Sequence, residues 1–151
     1  MDPKQIVEIR QLIKRLGQER TVVLSTHILP EVSVVCNRVI IINEGKVVAV
    51  DTPENLTMKV QEFSRVRVQV EAPRRDVMET LGRVDGVVSV VQEGEADGGV
   101  GTYLVQSRKE KDVRRELARV VAERGWGLLE LRVMSISLEE VFVKLVTEEK
   151  E

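Results

Sequence analysis

The sequence predicts an α/β protein in two parts. Residues 1–63 read as the end of a parallel-sheet domain, and residues 64–151 as an α+β unit closed by a helix. Three observations predict this. An amphipathic helical pattern leads straight into Val22-Val23-Leu24, a run apolar on both faces, as strands inside a parallel sheet are. From Ser64 onward apolar and polar residues alternate, the sign of strands with one face in solvent. Those strands are interleaved with two helical patterns in the order βαββαβ.

The first helix is announced by Asp2 as N-cap and Pro3 at the first helical position. Ile6, Ile9, Leu12, Ile13 and Leu16 recur at helical spacing, and Gly17 reads as the stop. The buried strand follows at Thr21, and the polar triplet Ser25-Thr26-His27 falls where it ends. In open α/β sheets ligands bind at that end. His27 is the one histidine of the chain. A short helix follows, with Leu29, Val32, Val35 and Cys36 on one face. Strands over 38–43 and 46–50 are joined by the turn Asn43-Glu44-Gly45-Lys46. A connecting helix is expected over 55–63. A helix feeding a buried parallel strand is half of a βαβ unit. The strand that should precede the helix has no counterpart here, so the sequence is expected to begin partway through a domain.

In the second part, Val66, Val68 and Val70 mark one strand, and Val77, Met78 and Leu81 a helix ending near Gly82. Val87 to Val91 form the next strand. The stretch from Gly94 to Gly101 reads as a flexible turn, and Thr102 to Ser107 as the returning strand. A helix is expected over 109–124, with Val113, Leu117, Val120 and Val121 inward and Gly125 as its stop. Leu128 to Met134 completes a ferredoxin-like βαββαβ pattern. Ser137 and Glu140 then make a capping box, with Ile136 and Val141 as hydrophobic staple. The face of Leu138, Val141, Phe142 and Leu145 should dock on the accessory unit or on a second copy.

Composition narrows the function classes. At 151 residues the chain holds one domain or two small ones. Its net charge of −2, with no basic cluster, indicates no nucleic-acid partner. One Trp, one Tyr and two Phe are too few for a base-stacking surface. Cys36 is the one cysteine, so no internal disulfide forms; it reads as a core residue of a reducing compartment. No signal peptide and no apolar run of about 18 residues is present, so no direct membrane insertion is expected.

The order of short motifs from Met1 to Met58 resembles the C-terminal part of an ABC-transporter ATP-binding subunit. Asp2-Pro3 is similar to the end of the D-loop, and Ser25-Thr26-His27 to the switch-histidine motif. Glu31-Val32, Cys36-Asn37-Arg38-Val39 and Asn43-Glu44-Gly45-Lys46 resemble the helix and hairpin that follow it. Thr52-Pro53-Glu54-Asn55-Leu56 resembles the exit from that domain. Met1, Asn37 and Asp51 depart from the usual Leu, Asp and Gly. The run from Ser137 to Phe142 resembles the C-terminal signature of exporter-type subunits of the gliding-motility and drug-export kind, where it follows a small accessory domain.

The resemblance implies the truncated end of a P-loop NTPase (ABC) domain over 1–63 and an accessory ferredoxin-like domain with closing helix over 64–151. It implies ATP and Mg²⁺ as cofactors of the intact subunit, with His27 at the ATP γ-phosphate as the catalytic residue. Asp2 would face the second ATP-binding subunit of a homodimer. A separate transmembrane permease would be the other partner, and the subunit would lie in the cytoplasm, peripheral at the inner face of the membrane. The chain has no G-x-x-x-x-G-K-[ST] loop, no Leu-Ser-Gly-Gly signature and no apolar strand ending in Asp-Glu. No cofactor is therefore expected for this segment alone, and no protein metal ligand is assigned.

Each motif also has a plainer reading. His27 could satisfy local hydrogen bonds, and Asp2 could simply cap its helix. Ser25 and Thr26 read as strand-end hydroxyls. Gly94, Gly98, Gly99 and Gly101 are flanked as a hairpin and make no phosphate loop. The charged runs 108–116 and 148–151 read as solvated faces. A different class altogether, a stand-alone regulatory or dimerisation module, fits the βαββαβ half.

Overall fold

A computed structural model describes residues 2–148; Met1 and positions 149–151, with most of the terminal charged run, lie outside the described residues. The protein is α/β with antiparallel sheets, and it divides into two units. One comprises residues up to Val60 together with those from Ile136, the other Gln61–Ser135.

In the first unit, α1 (Pro3–Glu19) starts as expected. The Asp2 carboxylate accepts from the Lys4 N–H at 3.0 Å, and the Asp2 N–H donates to Gln5 Oε1 at 3.3 Å, a capping box with Pro3 beside it. Gly17 does not stop the helix. The ladder runs on until the Arg20 N–H donates to the Leu16 carbonyl at 2.9 Å, and a helical glycine costs only about 1 kcal/mol against alanine. No residue of α1 is buried.

The buried strand expected from Thr21 is not formed. Residues 21–26 form neither helix nor strand, and Val23 is 90% exposed. A strand is stabilised by its neighbours, and the two strands described in this unit pair with each other. Helix α2 (Leu29–Val35) buries Val32 and ends where Cys36 N–H meets the Val32 carbonyl. Strands β1 (Val39–Asn43) and β2 (Lys46–Asp51) form a hairpin. Its two-residue turn has positive φ at Glu44 (50°) and Gly45 (76°), the type I′ geometry that matches strand twist. Helix α3 (Pro53–Val60) begins earlier than expected. Thr52 caps it, its hydroxyl accepting from the Asn55 N–H at 3.1 Å, and Pro53 takes the first helical position.

The second unit contains β3 (Phe63–Glu71), α4 (Arg74–Gly82), β4 (Val87–Asp97), β5 (Val100–Arg108), α5 (Arg114–Glu123) and β6 (Gly127–Met134). The strands form one antiparallel sheet in the order β4-β5-β3-β6. Val66, Val68, Val70, Tyr103 and Val105 point to one face and are sealed there by Val77 and Leu81 of α4 and Leu117 and Val121 of α5. The glycine-rich turn is shorter than expected. Strand β4 continues to Asp97, and Gly98-Gly99 alone make the bend, both at positive φ. Residues 109–113, expected to be helical, form a turn that delivers Val113 into the core ahead of α5. The far end of α5 is a Schellman motif: Gly125 has φ 70°, and Trp126 N–H reaches the Val121 carbonyl at 3.2 Å.

The closing helix α6 (Leu138–Glu148) is grouped with the first unit. Its Val141, with Ile136 before it, packs against Ile41 of β1 and Leu56 of α3. Lys144 Nζ also donates to the Val60 carbonyl at 3.4 Å. Ser137 caps the helix as expected, its hydroxyl accepting from the Glu140 N–H. The apolar faces of α3 and of the hairpin need this cover, which accounts for the helix lying there.

Candidate functional site

His27 lies at a bend between residues 21–26 and α2 and is exposed. Among the described residues nothing hydrogen-bonds to it. The local geometry is set by Thr26, whose hydroxyl accepts from the Ile28 N–H at 3.0 Å. Asp2 is engaged as a helix cap, and neither hydrogen bond nor ion pair links it to His27 among the described residues. A surface depression along α1 and another along α4 are not lined by His27. His27 and Asp2 thus do not make a nucleotide cradle between themselves. They offer one exposed imidazole and one carboxylate already used.

Two polar arrangements that sequence reasoning missed hold this region in place. Arg10 of α1 grips Glu31 of α2 with two parallel hydrogen bonds, Nε to Oε2 at 2.7 Å and Nη2 to Oε1. The bidentate bond holds the Glu31 carboxyl below its ordinary range. Asp51 accepts from Lys59 Nζ at 2.6 Å, from the Thr52 N–H at 2.8 Å and from Asn55 Nδ2 at 2.9 Å. The Lys59 bond first, then those from Asn55 and Thr52, lower its pKa to about 2. The signal was present: Asp51, Asn55 and Lys59 sit four residues apart across a helix start. Asp51 had stood out only as a departure from glycine.

Among the described residues no group of three or more His, Cys, Asp or Glu side chains could hold a metal ion. No described helix is long and apolar enough to cross a membrane.

With this geometry in place, comparison with known proteins gives the following similarities. Along almost its whole length the chain is similar to ABC transporter ATP-binding proteins. It is 28% identical over 148 residues to the bacitracin transport ATP-binding protein BcrA of Bacillus licheniformis, covering 97% of this chain and 45% of that protein. It is 28% identical over 148 residues to the daunorubicin resistance ATP-binding protein DrrA2 of Streptomyces coeruleorubidus, covering 96% and 44%. To the uncharacterized ABC transporter ATP-binding protein YhcH of Bacillus subtilis it is 25% identical over 158 residues, covering 100% and 45%. The chain therefore spans a little under half the length of these relatives. No protein-family model matches it.

Proposed function

We propose that this chain forms part of the ATP-binding and ATP-hydrolysing subunit of an ABC exporter, which energises a separate membrane permease. The similarity to BcrA and DrrA2 along almost the whole chain carries the reading. Residues 1–63 correspond on this reading to the end of the nucleotide-binding domain. The second unit is the accessory domain of ferredoxin-like type, for which its βαββαβ order and antiparallel sheet are support.

The working subunit uses ATP and Mg²⁺, pairs with a second copy, and lies at the cytoplasmic face of the membrane against the permease. His27 is the side chain assigned to the γ-phosphate. Its exposure at the end of an unladdered segment leaves it open to such a contact. Asp2 keeps its capping role and faces the second subunit. Residues of this segment do not cradle a nucleotide by themselves, so this chain is expected to be inactive alone.

Two measurements test the reading. Calorimetry of this chain with Mg-ATP is expected to give no saturable heat at millimolar nucleotide, since one charge-assisted hydrogen bond is worth only about 1.5–3 kcal/mol. In a complete subunit containing these residues, His27→Ala is expected to depress turnover far more than nucleotide affinity. Micromolar binding by this chain alone, or normal turnover of the variant, overturns the assignment.

A further inference from the structure

Both helices of the second unit lie on one face of its sheet, and the opposite face is sorted by charge. On β3, Arg65 and Arg67 alternate with the buried valines and so point to that opposite face. The register places Arg132 of β6 directly across from Arg67. Two residues further along, Gln69 pairs with Glu130 on β6 and with Thr102 on β5, and Thr102 pairs with Glu93 on β4. Glu71 follows at the end of β3. Arginines thus occupy one end of this face and glutamates the other.

Two of these arginines have a carboxylate near them within the chain. Arg132 reaches Glu130 at 3.1 Å, but Arg67 stands 3.8 Å from Glu93, beyond hydrogen-bonding distance, and its buried Nε has no acceptor among the described residues. Two arginines directly opposite each other on neighbouring strands repel, which costs stability unless further carboxylates approach. Leu104, beside Arg67 in the register, supplies an apolar middle.

We propose that this face is a contact between two copies of the chain, packed sheet to sheet about a two-fold axis that runs across the strands. Such an axis lays each strand over its own copy and reverses the rows. Glu130 of each copy then faces Arg132 of the other, and Glu71 faces Arg65. A two-fold axis along the strands would instead set like charges against like, so the charge pattern selects one geometry. The interface is isologous and closes on itself.

From strand spacing and rise, the face measures roughly 20 by 27 Å, or about 500 Å² per copy. Stable complexes bury about 800 Å² per partner, so this contact is weak by itself and depends on concentration. The inference does not rest on the ATP-binding reading, and it would hold equally in a stand-alone module.

Sedimentation velocity of the full chain, over a concentration series at low and high salt, tests it with two exposed-edge variants, Arg132→Glu and Glu130→Arg. The wild-type chain is expected to form a dimer that dissociates as salt rises, because exposed ion pairs are screened. Each variant alone puts like charges across the interface and is expected to associate at least tenfold more weakly. An equimolar mixture of the two places opposite charges at both positions and is expected to recover wild-type association. Circular dichroism establishes that each variant is folded. If one is not, Arg132→Gln and Glu130→Gln, each expected to weaken the dimer, replace the pair. A wild-type chain that stays monomeric at millimolar concentration overturns the proposal. So does a dimer that either charge change leaves intact, that strengthens with salt, or that the mixture fails to restore.

Discussion

Tyr103 lies over Gly101, two residues back on the same face of β5: a Cβ placed on Gly101 would stand 2.6 Å from the Tyr103 hydroxyl oxygen and 2.8 Å from its ring. The glycine makes room for the one tyrosine of the chain, which is fully buried in the core of the second unit. Gly101→Ala should therefore overpack this core and cost about 1–3 kcal/mol. Denaturant unfolding followed by Trp126 fluorescence reads this unit directly, since the single tryptophan packs against the same core. Unchanged stability would show that the ring moves aside freely.

The same ring supplies a second prediction. The Tyr103 hydroxyl is buried without a hydrogen-bond partner among the described residues, and burial raises its pKa. An orphaned buried hydroxyl costs about 1–3 kcal/mol, so Tyr103→Phe should be neutral or stabilising. It should not rescue Gly101→Ala, because the ring carbons, not only the oxygen, crowd the added methyl. A clear loss of stability in Tyr103→Phe would reveal an acceptor that the fold supplies.

Asp51 makes stability depend on acid. Its folded pKa of about 2 lies below the ordinary 3.8, so the ionised, hydrogen-bonded form contributes stability above that ordinary value. The contribution falls as pH drops from 3.8 and is gone below about 2. Asp51→Asn should lower stability at neutral pH and flatten the acid limb in that window. The check is a pH series of unfolding midpoints for both chains, with identical slopes counting against the assignment.

The closing helix separates two neighbouring valines. Val141 is fully buried and Val143 is 61% exposed. Val141→Ala should cost about 2 kcal/mol, whereas Val143→Ala should stay within about 0.5 kcal/mol. Phe142 is only partly buried, so Phe142→Ala should fall short of the roughly 3–5 kcal/mol of a fully buried ring. Equal effects at positions 141 and 143 would mean that the helix is not docked as described.

Arg10 and Glu31 join α1, which buries nothing, to α2. Breaking this link should loosen α1 rather than unfold the unit. Arg10→Ala is expected to speed amide exchange along Pro3–Glu19 while leaving α3 and α6 unchanged. Uniform exchange across all three helices in the variant would exclude a local role.

Much of the fold was legible from local chemistry. Asp2-Pro3 marks a helix start because a carboxylate and a ring-locked φ solve the problem of unpaired N–H groups, and the structure puts them to that use. Alternation at Val66, Val68 and Val70 fixed the inner face of β3 because strand side chains have a period of two. The misreadings share one cause. Val22-Val23-Leu24 has the composition of a buried strand, but a strand exists through its neighbours, and composition does not report whether they are there. The capped helix from Leu138 likewise displays an apolar face without naming what covers it. At the candidate site, the chain order of Asp2 and His27 was visible. The solvent exposure of His27 and the Arg10–Glu31 and Asp51–Lys59 pairs were not, because they depend on where segments come to rest.

The first unit is assembled from two stretches of sequence with the second unit between them. Translation therefore delivers its parts out of step. When Leu56 and Ile41 leave the ribosome, Val141 has yet to be made, and the whole of Gln61–Ser135 emerges first. The later unit holds its own core and can fold at once, while the earlier one waits with an uncovered apolar face. A nascent chain halted before Ile136 would carry the second unit's core complete while the apolar face of α3 and the hairpin is uncovered. Helix α6 is thus made after the second unit yet packs on the first.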